Sequence, residues 1–198
     1  MGPFETNCYV LTHGCESLVV DPGDDIGRLL LAIRGTELRA VILTHGHADH
    51  HGALTALVAA TGAPVMAHES DSGLLPLRPD IALYHAQEIC VGPVRLAVSH
   101  VPGHTPGSVV LGLNDGHMLV GDSVFAGGPG HTETPADLAL LIKSLMSHVF
   151  SCGDDTVLFP GHGGATTVGQ ERRGFDNLVR SGWPPGLCGD VTWADARR

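Results

Sequence analysis

The sequence predicts a mixed α/β fold in which two sheets pack face to face, with helices on the outer faces. Short β-rich runs occur in two groups, and helix-forming stretches follow them. Sheets and helices that each have one apolar side must bury those sides against one another, which favours layered packing. With 198 residues and 43% hydrophobic composition, the chain is large enough for a substantial core. We therefore expect a single domain over residues 1–198.

The first group of elements alternates strands with helices. Its first helix has Asp24 or Asp25 as the predicted cap, Gly35 just after its end, and an apolar face of Leu29, Leu30 and Ile33. In chain order we predict strands at 7–11 and 17–21, this helix, a strand at 39–43, a helix at 54–60 and a strand at 65–68.

The second group follows a stretch, 70–88, that has no clear periodicity and that we expect to be irregular or a lid near the site. An Asn114-Asp115-Gly116 turn between β-rich runs is typical of a hairpin. The tail after Asn177 has no predicted element. In chain order we predict strands at 94–100, 109–113 and 118–121, a helix from 134, a strand at 156–159 and a helix at 167–177.

The helix from 134 has the clearest start signal in the chain. Thr134 is a suitable cap, Pro135 fits the first helical position, and Asp137 places a carboxylate in the first turn. The residues that repeat at helical spacing, and that we expect to face the core, are Leu138, Leu141, Ile142, Leu145, Met146 and Val149.

Four potential metal ligands lie within six residues, directly after the apolar run 40–43. They are His45, His47, Asp49 and His50. Two histidines two apart can point the same way from the end of a strand, and a following helical turn brings the next two back to the same place. Imidazoles with a carboxylate suit zinc or a similar divalent cation. The alternative, a polar loop that happens to contain histidines, does not account for this spacing.

This stretch resembles the THxHxDHxxG signature of the metallo-β-lactamase superfamily. Four other parts of the chain carry similar family motifs in the same order. They are the opening strands at 4–10 and 19–23, PGHTPGS at 102–108, GDSVF at 121–125 and PGHG at 160–163. The sequences of these motifs are most similar to those of the glyoxalase II-like, or hydroxyacylglutathione hydrolase-like, branch. The resemblance implies an αββα four-layer sandwich with the metal site in loops at one edge.

The resemblance also implies a ligand set for two divalent metal ions. His45, His47 and His104 would hold one ion, Asp49, His50 and His162 would hold the second, and Asp122 would bridge them. Taken alone, His104 and His162 could be turn histidines and Asp122 a helix cap. We expect zinc, with iron or manganese as alternatives. Two such ions share a hydroxide and lower its pKa to near 7. Asp49 could serve both as ligand and as proton acceptor.

The predicted activity is that of a dinuclear hydrolase, a thioesterase of the glyoxalase II type. No GxSxG motif for a serine nucleophile is present. One alternative is a persulfide dioxygenase with a single iron, since the motifs do not exclude it. Others are a lactonase or β-lactamase-like hydrolase, and a non-enzymatic metal-binding module. Metal content distinguishes the leading candidates, because two zinc or mixed ions favour hydrolysis and one iron favours oxygen chemistry.

Substrate recognition is predicted to differ from that of full-length glyoxalase II enzymes. His131 lies where the resembled branch has lysine or arginine to hold glutathione. Only 36 residues follow His162, so the helical substrate domain of that branch is expected to be absent or reduced. We therefore expect a small-molecule thioester or ester as the substrate, with weak recognition of glutathione.

Composition bears on the remaining partners and the compartment. The formal net charge is −10 and Lys143 is the single lysine, with basic pairs only at 172–173 and 197–198, which argues against a nucleic-acid partner. No run approaches about 18 apolar residues, and the five cysteines lack CxxC spacing. We expect a cytoplasmic monomer or homodimer with no membrane partner.

Overall fold

The computed structural model describes residues 1–196, and the terminal pair Arg197-Arg198 that was noted as a basic cluster lies outside them. Within these residues the chain forms two β-sheets packed against each other, with two helices on each outer face. This confirms the predicted αββα sandwich.

The first sheet contains five strands in the order β1-β2-β3-β4-β5. β1 and β2 pair antiparallel, and the remaining pairs are parallel. Helices α1 (Ile26–Ala32) and α2 (Leu54–Thr61) pack on its outer face. The strands are β1 Tyr9–His13, β2 Glu16–Val20, β3 Glu37–Ile42, β4 Val65–His68 and β5 Ile81–Leu83.

The second sheet contains six strands in the order β13-β12-β9-β8-β7-β6, with β9 and β12 parallel and the other pairs antiparallel. Helices α3 (Pro135–His148) and α4 (Val168–Ser181) cover its outer face. A small hairpin, β10 with β11, lies beside it. The strands are β6 Glu88–Val91, β7 Val94–His100, β8 Val109–Leu113, β9 His117–Gly121, β10 Val124–Phe125, β11 Gly128–Pro129, β12 Val157–Pro160 and β13 Thr166–Thr167.

The inner faces of the two sheets form one apolar core. Leu18 and Ile42 of the first sheet belong to the same buried cluster as Leu96 and Leu111 of the second. Burying a side chain of this size stabilises the fold by about 1.5–3 kcal/mol. The core therefore fixes the two sheets against each other, and with them the loops that follow β3, β7, β9 and β12.

Local structure at the helix ends follows the sequence signals. Asp25 is the cap of α1, and its Oδ1 accepts a hydrogen bond from the Arg28 amide at 3.1 Å. Thr134 caps α3, where its hydroxyl oxygen accepts from the Asp137 amide at 3.2 Å.

Two side chains predicted to face the core do not, since Leu30 is 38% and Met146 45% exposed. Both lie at the margin of an apolar stripe, where the curvature of the helix surface turns them to solvent.

Sequence patterns missed several short elements. The stretch predicted to be irregular contains a 3-10 helix at Glu69–Leu74, β5 and the start of β6. α4 continues to Ser181, and the tail forms a 3-10 turn at Trp193–Asp195. Strands of three or four residues are stabilised by pairing with distant neighbours, which a local pattern does not record. Among residues 1–196, no helix is both long and apolar enough to cross a membrane.

Candidate metal centre

The predicted ligands come together at one edge of the sandwich, in loops that follow four strands. His45 and His47 follow β3, His104 follows β7, Asp122 follows β9 and His162 follows β12. A 3-10 turn, Ala48–His50, brings two more side chains back to the same place. The structure therefore groups every residue for which a metal role is predicted.

The side chains form two neighbouring triads. In the first triad, His45, His47 and His104 each offer a ligand atom within 4.8 Å of the others, and His45 Nε2 lies 3.3 Å from His104 Nε2. In the second triad, Asp49, His50 and His162 meet the same criterion. There His50 Nε2 lies 3.3 Å from His162 Nε2, and Asp49 Oδ2 lies 3.0 Å from His162 Nε2.

Asp122 lies between the two triads and contacts both. Its Oδ2 is 3.7 Å from His104 Nε2 in the first triad and 3.5 Å from His162 Nε2 in the second. Its Oδ1 is buried and makes no hydrogen bond with the described residues, and its nearest ligand atom is His50 Nε2 at 3.4 Å. A buried carboxylate oxygen without a donor is costly, so this position calls for a cation.

Four of the histidines are oriented by a hydrogen bond at Nδ1. His104 and His162 donate to the backbone carbonyls of His131 and Phe4, both at 2.9 Å. His50 Nδ1 lies 3.0 Å from Asp21 Oδ2. Since a carbonyl can only accept, Nδ1 of His104 and of His162 carries the proton, and Nε2 of each ring presents its lone pair to the centre. This arrangement is typical of metal-ligating histidines.

His45 is oriented through a relay. The Thr44 hydroxyl donates to Asp21 Oδ2 at 2.6 Å, which leaves its oxygen to accept from His45 Nδ1 at 3.1 Å. Asp21 is itself buried and also accepts from the Thr44 amide at 2.8 Å. The Nε2 lone pairs of His45 and His104 consequently face each other, which is unfavourable unless a cation lies between them. The donor set fits divalent metal ions.

The pKa shifts in the centre also favour a bound cation. Burial, and then the neighbouring His50, hold the pKa of His45 well below its ordinary value, and burial also lowers that of His104. Burial opposes a charge on His50, but Asp21 and Asp122 outweigh it and raise its pKa to about 10. Burial raises the pKa of Asp122, yet the neighbouring His50, whose Nε2 lies 3.4 Å from Asp122 Oδ1, lowers it overall. A bound cation would replace the proton on His50 Nε2, the nitrogen that faces Asp122.

A glycine makes room for Asp122. A Cβ at Gly161 would overlap Asp122 Oδ1 and would lie 2.5 Å from His50 Cε1. The Gly161 amide also donates to the Gly121 carbonyl at 2.8 Å, which joins the loops after β12 and β9. The glycine of the PGHG motif is therefore needed because any side chain there would displace Asp122.

Asp71 has a role that the sequence did not indicate. It lies in the 3-10 helix after β4, is buried, and accepts from the Gly46 amide at 2.9 Å, the Thr105 hydroxyl at 2.6 Å and the Gly107 amide at 2.7 Å. Asp71 therefore ties the His45–His47 loop to the His104 loop. No motif marks it; the only available signal was a carboxylate in a segment expected to lie near the site.

His131 lies at the rim of a cavity of about 540 Å3 that opens beside His104, Asp122 and His162. Its backbone carbonyl orients His104, and its ring contacts Asp190 of the tail. The tail was predicted to have no element, yet it forms part of the cavity wall. A role for His131 in substrate binding remains a prediction.

Comparison with known proteins places this geometry in a family. Residues 1–167 match the family model described as metallo-beta-lactamase superfamily. A hydroxyacylglutathione hydrolase of Anaeromyxobacter dehalogenans is 39% identical over 155 residues, which cover 78% of this chain and 60% of that relative. The chain thus spans about three fifths of this relative's length.

Two solved structures are consistent with the same family. The BLEG-1 B3 metallo-beta-lactamase matches with a TM-score of 0.81 and 28% identity, covering 87% of this chain and 94% of that one. TTHA1623 in a di-iron-bound form matches with a TM-score of 0.76 and 32% identity, covering 87% and 95%. The chain belongs to the metallo-beta-lactamase superfamily, a superfamily of metal-dependent hydrolases, and its His/Asp clusters are suited to binding metal ions.

Proposed function

We propose that this member of the superfamily is a dinuclear metal-dependent thioesterase of the glyoxalase II type, which acts on a small-molecule thioester or ester. The observation that carries the proposal is Asp122, a buried carboxylate with an unpartnered oxygen between two ligand triads. The relative named hydroxyacylglutathione hydrolase and the di-iron form of TTHA1623 support the reaction class and the metal count respectively.

The proposed ligands are those predicted from sequence. His45, His47 and His104 would hold one ion and Asp49, His50 and His162 the other, with Asp122 shared between them. When bound, two divalent ions acidify a water to a pKa near 7 and polarise the substrate carbonyl. Zinc is the expected metal, and iron or manganese are the alternatives.

Asp49 is the proposed proton acceptor. Its Oδ2 faces His162 and accepts from the Thr6 hydroxyl at 3.1 Å, so this oxygen is oriented toward the second triad. Its Oδ1 makes no hydrogen bond with the described residues and is free to hold the proton removed from the attacking water. A general base must lie within hydrogen-bond reach of the water it deprotonates, and Asp49, as a member of the second triad, would lie beside a water held there.

The cavity beside the centre would hold the remainder of the substrate. Phe125, Pro129 and Val191 contribute apolar surface, and the cavity reaches Asp122 and His162. A substrate that lies along this wall has its carbonyl beside both triads. Binding energy from the non-reacting part then serves to position the reacting bond.

The second candidate is iron-dependent oxygen chemistry at a single metal, as in persulfide dioxygenases. The first triad with Asp122 would suffice for one iron. That candidate leaves Asp49, His50 and His162 without a metal, although they form an equally close triad. The dinuclear hydrolase accounts for both triads and is preferred.

The test is metal analysis of the metal-replete protein together with a thioester hydrolysis screen. We expect two metal ions per chain and hydrolysis that disappears on chelation and returns with added metal. One iron per chain, with oxygen consumed in the presence of a persulfide and no thioester hydrolysed, would establish the second candidate instead.

A further inference from the structure

The outer wall of the substrate cavity is built by the tail of the chain. The segment Gly189–Trp193 lies along 127–132, and the two are joined by hydrogen bonds from the Gly189 amide to the Thr132 carbonyl at 2.7 Å and from the Trp193 amide to the Gly127 carbonyl at 2.9 Å. The family model matches residues 1–167 only. The tail segment of this wall is therefore outside the part of the chain that the family model matches.

A buried carboxylate fixes the wall in place. Glu171 Oε2 accepts from the Gly127 amide at 2.8 Å and from Trp193 Nε1 at 2.7 Å, and its Oε1 accepts from the Thr166 hydroxyl at 2.6 Å. Glu171 and Trp193 are each less than 9% exposed. The backbone of the tail is thus held as a defined surface beside the metal centre.

Two carboxylates flank His131 at the rim of the cavity, Asp190 in the cavity lining and Glu133 beside it. Asp190 Oδ1 lies 2.8 Å from His131 Nδ1, and Glu133 Oε1 lies 3.6 Å from His131 Nε2. Even a protonated His131 would leave these three groups with one net negative charge. No lysine or arginine is among the residues that line this cavity in the described part of the chain.

Two arginines line a neighbouring cavity instead. Arg173 and Arg180 border a space of about 770 Å3 that shares only Gly127 with the cavity beside the metal centre. The backbone of Gly127 is held there by Glu171 and Trp193. A substrate that reaches the triads along Phe125 and Val191 therefore meets carboxylates and apolar surface.

We propose that this wall selects thioesters of uncharged thiols and disfavours carriers that bear carboxylates, of which glutathione has two. The inference rests on the proposed thioesterase function and names its substrate class. Like charges on the wall and the carrier raise the free energy of the bound state, and the protein's net charge of −10 adds to that repulsion. Apolar contact with Phe125, Pro129 and Val191 remains available to an uncharged carrier.

The test compares two thioesters that share an acyl group. S-lactoyl-N-acetylcysteamine is uncharged, and S-lactoylglutathione carries both carboxylates. With metal-replete protein, we expect kcat/KM to favour the uncharged thioester by about threefold to tenfold. Because exposed charges are screened by salt, 0.5 M NaCl should narrow the preference. Asp190→Asn should narrow it by about threefold through a lower KM for the glutathione thioester, and Glu133→Gln should shift it in the same direction.

Asp115→Asn is the matched control. Asp115 Oδ2 lies 3.0 Å from His117 Nδ1, so the variant removes an equivalent Asp–His pair and the same charge at the opposite end of β9. Its preference should equal that of the wild type. A preference for the glutathione thioester, or one that neither Asp190→Asn nor salt changes, overturns the inference alone. Hydrolysis of neither thioester overturns the proposed function and this inference with it.

Discussion

The two halves of the metal centre are held in different ways. The first triad, His45, His47 and His104, is carried by two loops that the buried Asp71 joins. The second triad depends on the amino-terminal segment, where the Phe4 carbonyl orients His162 and the Thr6 hydroxyl donates to Asp49. One half is fixed by a buried carboxylate, and the other by contacts with a segment more than 100 residues away in sequence from His162.

Two residues belong to both halves. Asp122 contacts ligands of each triad, and Asp21 orients His50 directly and His45 through Thr44. The two metal positions should therefore respond separately to changes in their own supports and together to changes in the shared residues. Substitutions at the separate supports and at the shared residues test this division.

The largest effect is expected from Asp122→Ala. The substitution removes the contact shared by both triads, so metal content should fall from two ions to one or fewer. Substituting a residue that supports a metal ligand typically costs about 10–100-fold in activity, and we expect the loss of hydrolysis here to be larger. Metal content by mass spectrometry and steady-state hydrolysis measure both. Retention of two ions with activity lost would show that Asp122 acts in the reaction without linking the metals.

A large effect on both positions is also expected from Gly161→Ala. The added methyl would occupy the space of Asp122 Oδ1 and would approach the His50 ring. Gly164→Ala is the matched control, because a Cβ there meets nothing within 4 Å. We expect metal content to fall in the first variant and to stay at the wild-type level in the second. Equal metal content in both variants would disprove the close approach described here.

Asp71→Asn should act mainly on the first triad. The amide keeps the shape but lacks one acceptor oxygen, so the two loops lose part of their connection and the affinity of the first metal should fall about tenfold. Asp80→Asn is the control, since Asp80 Oδ2 accepts from the Val65 amide at 2.8 Å at the other end of β4. Stepwise chelation of each variant measures the two affinities, and equal weakening of both metals would contradict the division.

The smallest effect is expected from Thr6→Val, which removes only the hydroxyl that donates to Asp49. The second metal should bind about threefold more weakly, within the range for loss of one hydrogen bond, while the first is unchanged. Thr36→Val removes a comparable hydroxyl, which donates to the Ile33 carbonyl at 2.7 Å, away from the centre. If the two variants release the second metal at the same concentration of chelator, Thr6 has no part in supporting it.

Much of this arrangement was predictable from the sequence, and the physical reason is local spacing. The HxHxDH pattern puts four candidate ligands on one strand end and the turn that follows it. The caps at Asp25 and Thr134 mark the starts of their helices. Ordered motifs added the more distant ligands. Each of these signals lies within a few consecutive residues.

The supports of the centre were not predictable in the same way. Asp71 functions through amides of Gly46 and Gly107, and Asp190 through His131, contacts that span 25, 36 and 59 residues of sequence. An isolated aspartate has the same local pattern whether it is buried against distant amides or exposed in a loop. Short strands such as β5 likewise depend on the strands that pair with them. These roles therefore follow only from contacts in the folded structure.

The central claim is that the centre holds two metal ions, one in each triad. Anomalous scattering from crystals of metal-replete protein, recorded on both sides of the absorption edge of the bound metal, tests it most directly. We predict two peaks, one beside His45, His47 and His104 and one beside Asp49, His50 and His162, with Asp122 between them. A single occupied position in protein saturated with metal would contradict the account.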